Sequence, residues 1–400
     1  MGSFKAGLSR VARGGWPALL LALAFIASRP ATAAETIQTT AQHAVLLDGD
    51  TGSVLFEKNA RTLIEPLNLT KLMTAEVLFD QIKKGKLTLD QQFTVSVNAW
   101  RRGGAPSRGS KMFAAVNSHI AISDLISGLV VDSGNDAAII IAEGIAGNEA
   151  AFGEMMTRHA RELGLKASTF VNPTGASDPQ QRVTALELAI LALHVIKAEP
   201  ELYSFFAAKE FTWSKIRQLN RNPLLTMDIG ADGLITCNVD EPGLALIGSA
   251  VQNGRRMIVV ISGVANDKDR ANESRKLLEF GFRAFEQEEL FPEGAIISSA
   301  SVYGGAKPSV GLRADGPVRV LIARGARERL TAKLIYEGPL KPPVLAGTRI
   351  GVLRIFEGDA PIVEVPLYAA EEVGQGGLAR QVEDAILEAG GGAFRRLLKR

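Results

Sequence analysis

Glu65-Pro66-Leu67-Asn68-Leu69-Thr70-Lys71-Leu72-Met73-Thr74-Ala75-Glu76 constrains this chain more tightly than any other stretch. Proline followed by good helix formers predicts a turn that launches a helix over residues 69–84. Asn68 and Lys71 then lie one turn apart on the same face. Were residue 68 a serine, the pair would be a hydroxyl nucleophile with a lysine beside it. Burial and a helix N-terminus both favour the neutral amine, so such a lysine could act as general base. Residue 68 is an amide. The frame for nucleophilic catalysis is present and its reactive oxygen is not.

The run Pro66-Leu67-Asn68-Leu69-Thr70-Lys71-Leu72-Met73-Thr74 resembles the Pro-Ala-Ser-x-Thr-Lys-x-Met-Thr box of the D-alanyl-D-alanine carboxypeptidases, the low-molecular-weight penicillin-binding proteins. A Ser-x-Asn box follows in that superfamily, and Ser133-Gly134-Asn135 matches it. The third box would read Asp-Gly-Leu-Lys-Thr-Gly; here it is Asp232-Gly233-Leu234-Ile235-Thr236-Cys237, which keeps Thr236 and changes two of the Lys-Thr-Gly residues. Gly103-Gly104-Ala105-Pro106-Ser107-Arg108-Gly109-Ser110, Phe170 to Gly175, Phe211 to Trp213 and Asn220 to Leu225 also resemble family sequence. The resemblance is dense over residues 40–285 and weak beyond.

It implies an α/β (α+β) fold, a penicillin-binding/β-lactamase-like domain with a central antiparallel sheet flanked by helices. It also implies roles. Asn68 stands at the nucleophile position and Lys71 at the base. Ser133 would shuttle a proton, and Asn135 would hydrogen-bond the substrate peptide. Ile235 and Cys237 stand where a lysine and a glycine serve substrate binding beside Thr236. Stem peptides of peptidoglycan, or β-lactams, are the implied occupants of the cleft.

Elsewhere the chain reads more simply. Lys5, Arg10 and Arg13 precede an apolar run from Trp16 to Ala27, and Ala31-Thr32-Ala33 offers small residues for cleavage, so residues 1–34 read as a secretory signal too short to span a bilayer. Export is expected, and the family resemblance implies a periplasmic location. A secreted chain whose one cysteine is Cys237 has no disulfide framework. That thiol is either a substitute nucleophile or, as we favour, a small apolar replacement for glycine. Ala44 to Leu47 and Val54 to Phe56 predict a hairpin around Asp48-Gly49-Asp50-Thr51-Gly52; the Asp-x-Asp spacing lacks the remaining ligands of a calcium loop.

Arg101 to Ser110 reads as an irregular surface loop, without the Gly-Lys-Ser/Thr ending of a phosphate cradle. Ile120 to Val131 and Ala137 to Gly147 read as apolar helices flanking the second box. Ala245 to Val251 and Met257 to Val264 predict sheet strands, and Asp269 to Phe285 a closing helix. The main domain is expected over 35–288 and a small β-rich domain over 295–370. Over 376–400, Leu378, Val382, Ala385, Ile386 and Ala389 form a stripe. Phe394, Leu397 and Leu398 then alternate with basic residues after three glycines, giving either a membrane-surface tail or a solvated one.

Forty-five Lys and Arg against 43 Asp and Glu argue against a nucleic-acid partner. His43, His119, His159 and His194 are scattered without ligand spacing, so neither metal nor other cofactor is expected. Three departures at three defining positions predict a pseudoenzyme that binds peptidoglycan or a cell-wall partner; residual carboxypeptidase activity through Ser133 or Cys237 is the alternative.

Overall fold

The computed structural model describes residues 37–237 and 243–377; the signal segment and nearly all of the basic tail lie outside them. The chain divides into two compact units, Thr36–Phe285 and one that begins at Glu286. In the first, β1 (His43–Asp48) and β2 (Val54–Lys58) make the hairpin, and a 3₁₀ turn, Leu67–Thr70, leads into α1 (Lys71–Lys83). A helical lobe follows, with β3 (Gln92–Thr94), α2 (Val97–Gly103), β4 (His119–Ala121), α3 (Ile122–Val130), α4 (Asn135–Ala146) and α5 (Glu149–Glu162). Next come α6 (Ala185–Ala198), the short α7 (Pro200–Tyr203), and a hairpin of β5 (Glu210–Trp213) and β6 (Ile216–Leu219). β7 (Ala231–Thr236), β8 (Leu244–Gln252), β9 (Arg255–Val264) and α8 (Asp267–Ala284) close the unit.

The central sheet is antiparallel throughout, in the order β2-β1-β9-β8-β7. Its strands read as nearly continuous apolar runs because both faces are covered. Val45, Leu47, Ile247, Ile258 and Val260 point into the main core shared with α1, α3, α4 and α6. Leu46 and Met257 point the other way, onto Gly281 of α8. Alternation along the strand sorts the side chains, and two helical layers bury both sets.

α1 runs through the middle of this unit, packed against α3, α4, α5, α6 and β7. Every residue from Lys71 to Phe79 is buried, polar ones included. A side chain such as Leu72 or Phe79, 0% exposed, stabilises by about 1.5–3 kcal/mol. The polar groups on this helix therefore need specific partners.

Three local expectations shift. The first helix begins as a 3₁₀ turn at Leu67, since the chain must bend at Pro66 before α-geometry is reached at Lys71. Arg101 to Gly103 are not loop but the last turn of α2, whose Ser96 side chain caps Ala99 N. Ile120 pairs with Phe93 in a small ribbon, so the helix predicted from 120 starts at Ile122.

The second unit is β-rich: β11 (Ser298–Ser301), β12 (Ser309–Arg313), β14 (Leu330–Tyr336), β15 (Arg349–Glu357) and β16 (Ala360–Ala369) form a sheet ordered β11-β12-β16-β15-β14, while β10 (Phe285–Phe291) pairs with β13 (Val318–Ala323). Val310, Leu312, Val320, Ile322, Ile355 and Leu367 form its own core. No helix among the described residues is long and apolar enough to cross a membrane.

Candidate active site

The turn before α1 is tightly built. Leu67 has φ +50°, a left-handed conformation that leucine adopts at a cost of about 1–3 kcal/mol. Gly175, itself at φ +88°, lies so close that a Cβ there would be 1.9 Å from Leu67 O. The loop Phe170–Gly175 is thereby pressed onto the residue preceding Asn68. Thr74 Oγ1 donates to Pro173 O at 2.7 Å and anchors the same loop from α1.

Asn68 is 4% exposed and Lys71 is fully buried. Lys71 Nζ donates to Asn68 Oδ1 at 2.6 Å and to Thr174 O at 2.8 Å. In a serine enzyme of this frame the lysine faces a hydroxyl that can lose a proton. Here it faces a carboxamide oxygen, which has no proton to give and is a poor nucleophile.

The second box occupies the turn between α3 and α4. Ser133 has φ +53° and is 4% exposed, and its Oγ is buried without a hydrogen-bond partner. Asn135 opens α4, its N–H donating to Ser110 O at 2.8 Å, while its Oδ1 is buried and likewise unpartnered. Unsatisfied buried polar atoms are costly, and their concentration in one turn marks a place built for a ligand or solvent. Next to it Asp136 is buried; burial pushes its carboxyl up, against the pull of the backbone N–H groups of Met112, Ala114 and Ala137.

Asp132 precedes the box. Burial pushes its carboxyl up to about 7, with Arg221 acting downward and Asp136 upward. Gln218 Nε2, from the β5–β6 hairpin, donates to its Oδ2 at 2.8 Å, and Oδ1 has no partner. No pattern in the sequence links Asp132 to Gln218, which lies 86 residues away.

The third box lies on β7, the edge strand of the central sheet, which packs against both α1 and the 3₁₀ turn carrying Asn68. Ile235 pairs in register with Ile247, is 3% exposed and belongs to the main core. Thr236 Oγ1 lies 3.2 Å from Ala245 O and donates toward it. Cys237 is 1% exposed, and its carbonyl accepts from Arg270 of α8. Arg270 is itself buried and is held by Asp267 at 2.6 Å; burial pulls its guanidinium below the usual arginine range.

Arg270 escaped sequence reading because it sits on the polar-looking start of an amphipathic helix. The upstream end of β7 is pinned by Asp232, which accepts from Tyr203 Oη at 2.7 Å and from Arg256 at 2.8 Å. Among the described residues no cluster of His, Cys, Asp or Glu is arranged to hold a metal ion.

A mixed sheet-and-helix domain with a lysine one turn after the nucleophile position, a Ser-x-Asn turn and an adjoining edge strand defines the penicillin-binding class of acyl-transfer folds. Residues 29–266 match the model of the D-alanyl-D-alanine carboxypeptidase family, and residues 285–375 match that of the penicillin-binding protein 5 C-terminal domain. The chain belongs to the D-alanyl-D-alanine carboxypeptidase family. It is 35% identical over 353 residues to the D-alanyl-D-alanine carboxypeptidase DacA of Haemophilus influenzae, covering 88% of this chain and 89% of that protein. The solved structure of penicillin-binding protein 5 from Haemophilus influenzae superposes with a TM-score of 0.77 at 35% identity, over 85% of this chain and 99% of that one. Penicillin-binding protein D2 from Listeria monocytogenes, in its ampicillin-bound form, matches with a TM-score of 0.53 at 27% identity, over 62% of this chain and 100% of that one.

Proposed function

We propose that this protein is a cell-wall pseudoenzyme: a periplasmic member of the carboxypeptidase family that holds peptidoglycan stem peptides, or a β-lactam, without forming an acyl-enzyme. Its basic tail would rest on the inner membrane. The observation that carries the reading is the 2.6 Å hydrogen bond from Lys71 Nζ to Asn68 Oδ1. In the family mechanism a serine at this position attacks the penultimate D-alanine carbonyl, terminal D-alanine leaves, and water hydrolyses the ester. An amide oxygen committed to Lys71 cannot form that ester, and loss of the nucleophile in a hydrolase triad costs about a million-fold in rate.

Ile235 and Cys237 support the same reading. A substitution that merely silences the nucleophile would leave the third box alone, whereas here a cation and a glycine have gone as well. The unpartnered Ser133 Oγ and Asn135 Oδ1 support retained binding, since a peptide amide in the cleft would satisfy both.

The alternative of residual activity through Ser133 or Cys237 finds less support. Ser133 Oγ has no base hydrogen-bonded to it, and the Cys237 side chain is buried in the core. Intact mass after incubation with a penicillin tests both, run beside Lys71→Ala and Cys237→Ala. No adduct is expected. A stable adduct lost in one variant would overturn the pseudoenzyme and identify the rescuing group. Absence of measurable affinity for peptidoglycan fragments would overturn the binding role.

A further inference from the structure

Between Asp90 and Asp124 the chain has no acidic residue, and it places Arg101, Arg102, Arg108 and Lys111 there. The fold brings this basic run against the second box. Gly103, at the end of α2, sits on the backbone of α4: a Cβ there would be 2.4 Å from Asp136 N. Gly109 sits on the asparagine of the box, where a Cβ would be 2.4 Å from Asn135 Nδ2. Ser110 O accepts the Asn135 N–H at 2.8 Å, and the N–H groups of Met112 and Ala114 donate to buried Asp136 at 2.9 and 3.1 Å.

The loop is thus fastened to the start of α4 at both of its ends. Its cations differ in their commitments. Arg102 is neutralised by Glu149 at 2.6 Å. Arg108 is exposed, and no ion pair engages it among the described residues. Lys111 donates to Ser107 O and stands 5.9 Å from the ring centre of exposed Phe113. A fixed backbone presenting Arg108 and Lys111 beside Asn135, with no acid of its own, is suited to anions rather than to neutral or cationic groups. A guanidinium binds a carboxylate in two parallel hydrogen bonds, and prior ordering of the loop lowers the entropy lost on binding.

We propose that the loop from Gly104 to Phe113 is a subsite for free carboxylates carried by the cleft's peptide ligand upstream of its C-terminus, with Arg108 and Lys111 as the charged contacts. The proposal rests on the reading of the cleft as a peptide site. It adds that carboxylate-bearing peptides are selected over their amidated counterparts.

Calorimetric titration of the purified protein tests it with two synthetic pentapeptides ending in D-Ala-D-Ala. One carries free carboxylates at its second and third residues; in the other these are amidated. The free-acid peptide is expected to bind about tenfold more tightly. The preference should shrink at about 0.5 M salt, where charges are screened over a few ångströms. Arg108→Gln and Lys111→Gln are each expected to lower affinity for the free acid and leave the amidated peptide unchanged. Equal affinities for the two peptides in the unaltered protein overturn the subsite, as does indifference of the free acid to both substitutions. Binding of neither peptide overturns the cleft reading itself, and the subsite with it.

Discussion

Lys71 Nζ and Asn68 Oδ1, 2.6 Å apart and both buried, form the hydrogen bond on which the altered site turns. Under the proposed reading, the lysine that would activate a serine in this frame instead fixes an amide. Reversal is testable by restoring the boxes. Asn68→Ser/Ile235→Lys/Cys237→Gly is expected to give a covalent adduct with benzylpenicillin by intact mass. Asn68→Ser alone should react at least ~100-fold more slowly, because the third-box cation and the close approach of its strand would still be missing. Equal rates would show that Ile235 and Cys237 are neutral to the chemistry.

The same pair governs stability. Lys71→Ala removes the donor to Asn68 Oδ1 and Thr174 O and leaves a void in a fully buried site. A loss of about 3 kcal/mol is expected from denaturant unfolding. A loss below about 0.5 kcal/mol would mean that solvent replaces the ammonium and that the turn is looser than its hydrogen bonds imply.

Gly175 carries a further constraint. Gly175→Ala would place a methyl group 1.9 Å from Leu67 O at φ +88°, so either the turn or the loop must move. We expect a loss of more than about 3 kcal/mol, or failure to accumulate as folded protein. Gly164→Ala is the control: it shares a positive φ of 81° but meets nothing within 4 Å, and about 1 kcal/mol is expected. Similar melting temperatures for the two variants would remove the contact with Leu67 as the cause.

A pH dependence should come from Glu76, the buried carboxylate of α1 that accepts His159 Nε2 at 3.0 Å and faces His194 Nε2 at 3.2 Å. Burial alone would push Glu76 up, but the hydrogen bonds from His159 and His194 outweigh it and hold it below its ordinary 4.5. For His159, burial acts downward and the bonds to Glu76 and Glu162 outweigh it, holding the imidazole above 6.5. The lowered carboxylate contributes stability that is present above 4.5 and lost as pH falls through its folded value. The raised imidazole contributes stability that is complete below 6.5 and lost as pH rises through its folded value. The pair therefore supports the fold most between these limits. Melting temperature against pH is expected to peak there, and Glu76→Gln to flatten the peak. An unchanged profile in that variant would assign the pH dependence elsewhere.

Much of the fold was legible from residue pattern. The hairpin at Ala44 to Phe56, the strands at Ala245 to Val251 and Met257 to Val264, and the closing helix follow from alternation and helical periodicity, which are local properties. The runs around Asn68, Ser133 and Ile235 to Cys237 stood out because they resemble the family's boxes at the family's spacing, and their roles belong to the proposed function. The start of α1 was less legible: Pro66 announces a turn, but no local pattern shows the 3₁₀ geometry of Leu67 to Thr70 or the packing of Leu67 O against Gly175, more than a hundred residues later.

By itself the sequence determined the first hairpin, two strands of the central sheet and its closing helix, the family resemblance and the absence of a serine at position 68. These depend on neighbours along the chain and on the identity of single residues. Tertiary structure alone decided that Lys71, besides Asn68 one turn before it, donates to Thr174 O from more than a hundred residues away. It also decided that Arg270 reaches the carbonyl of Cys237, that Asp132 meets Gln218, and that Glu76 joins two histidines from other helices. Each is a polar contact between residues far apart in sequence, required by burial and set by how the helices pack. No local pattern encodes it.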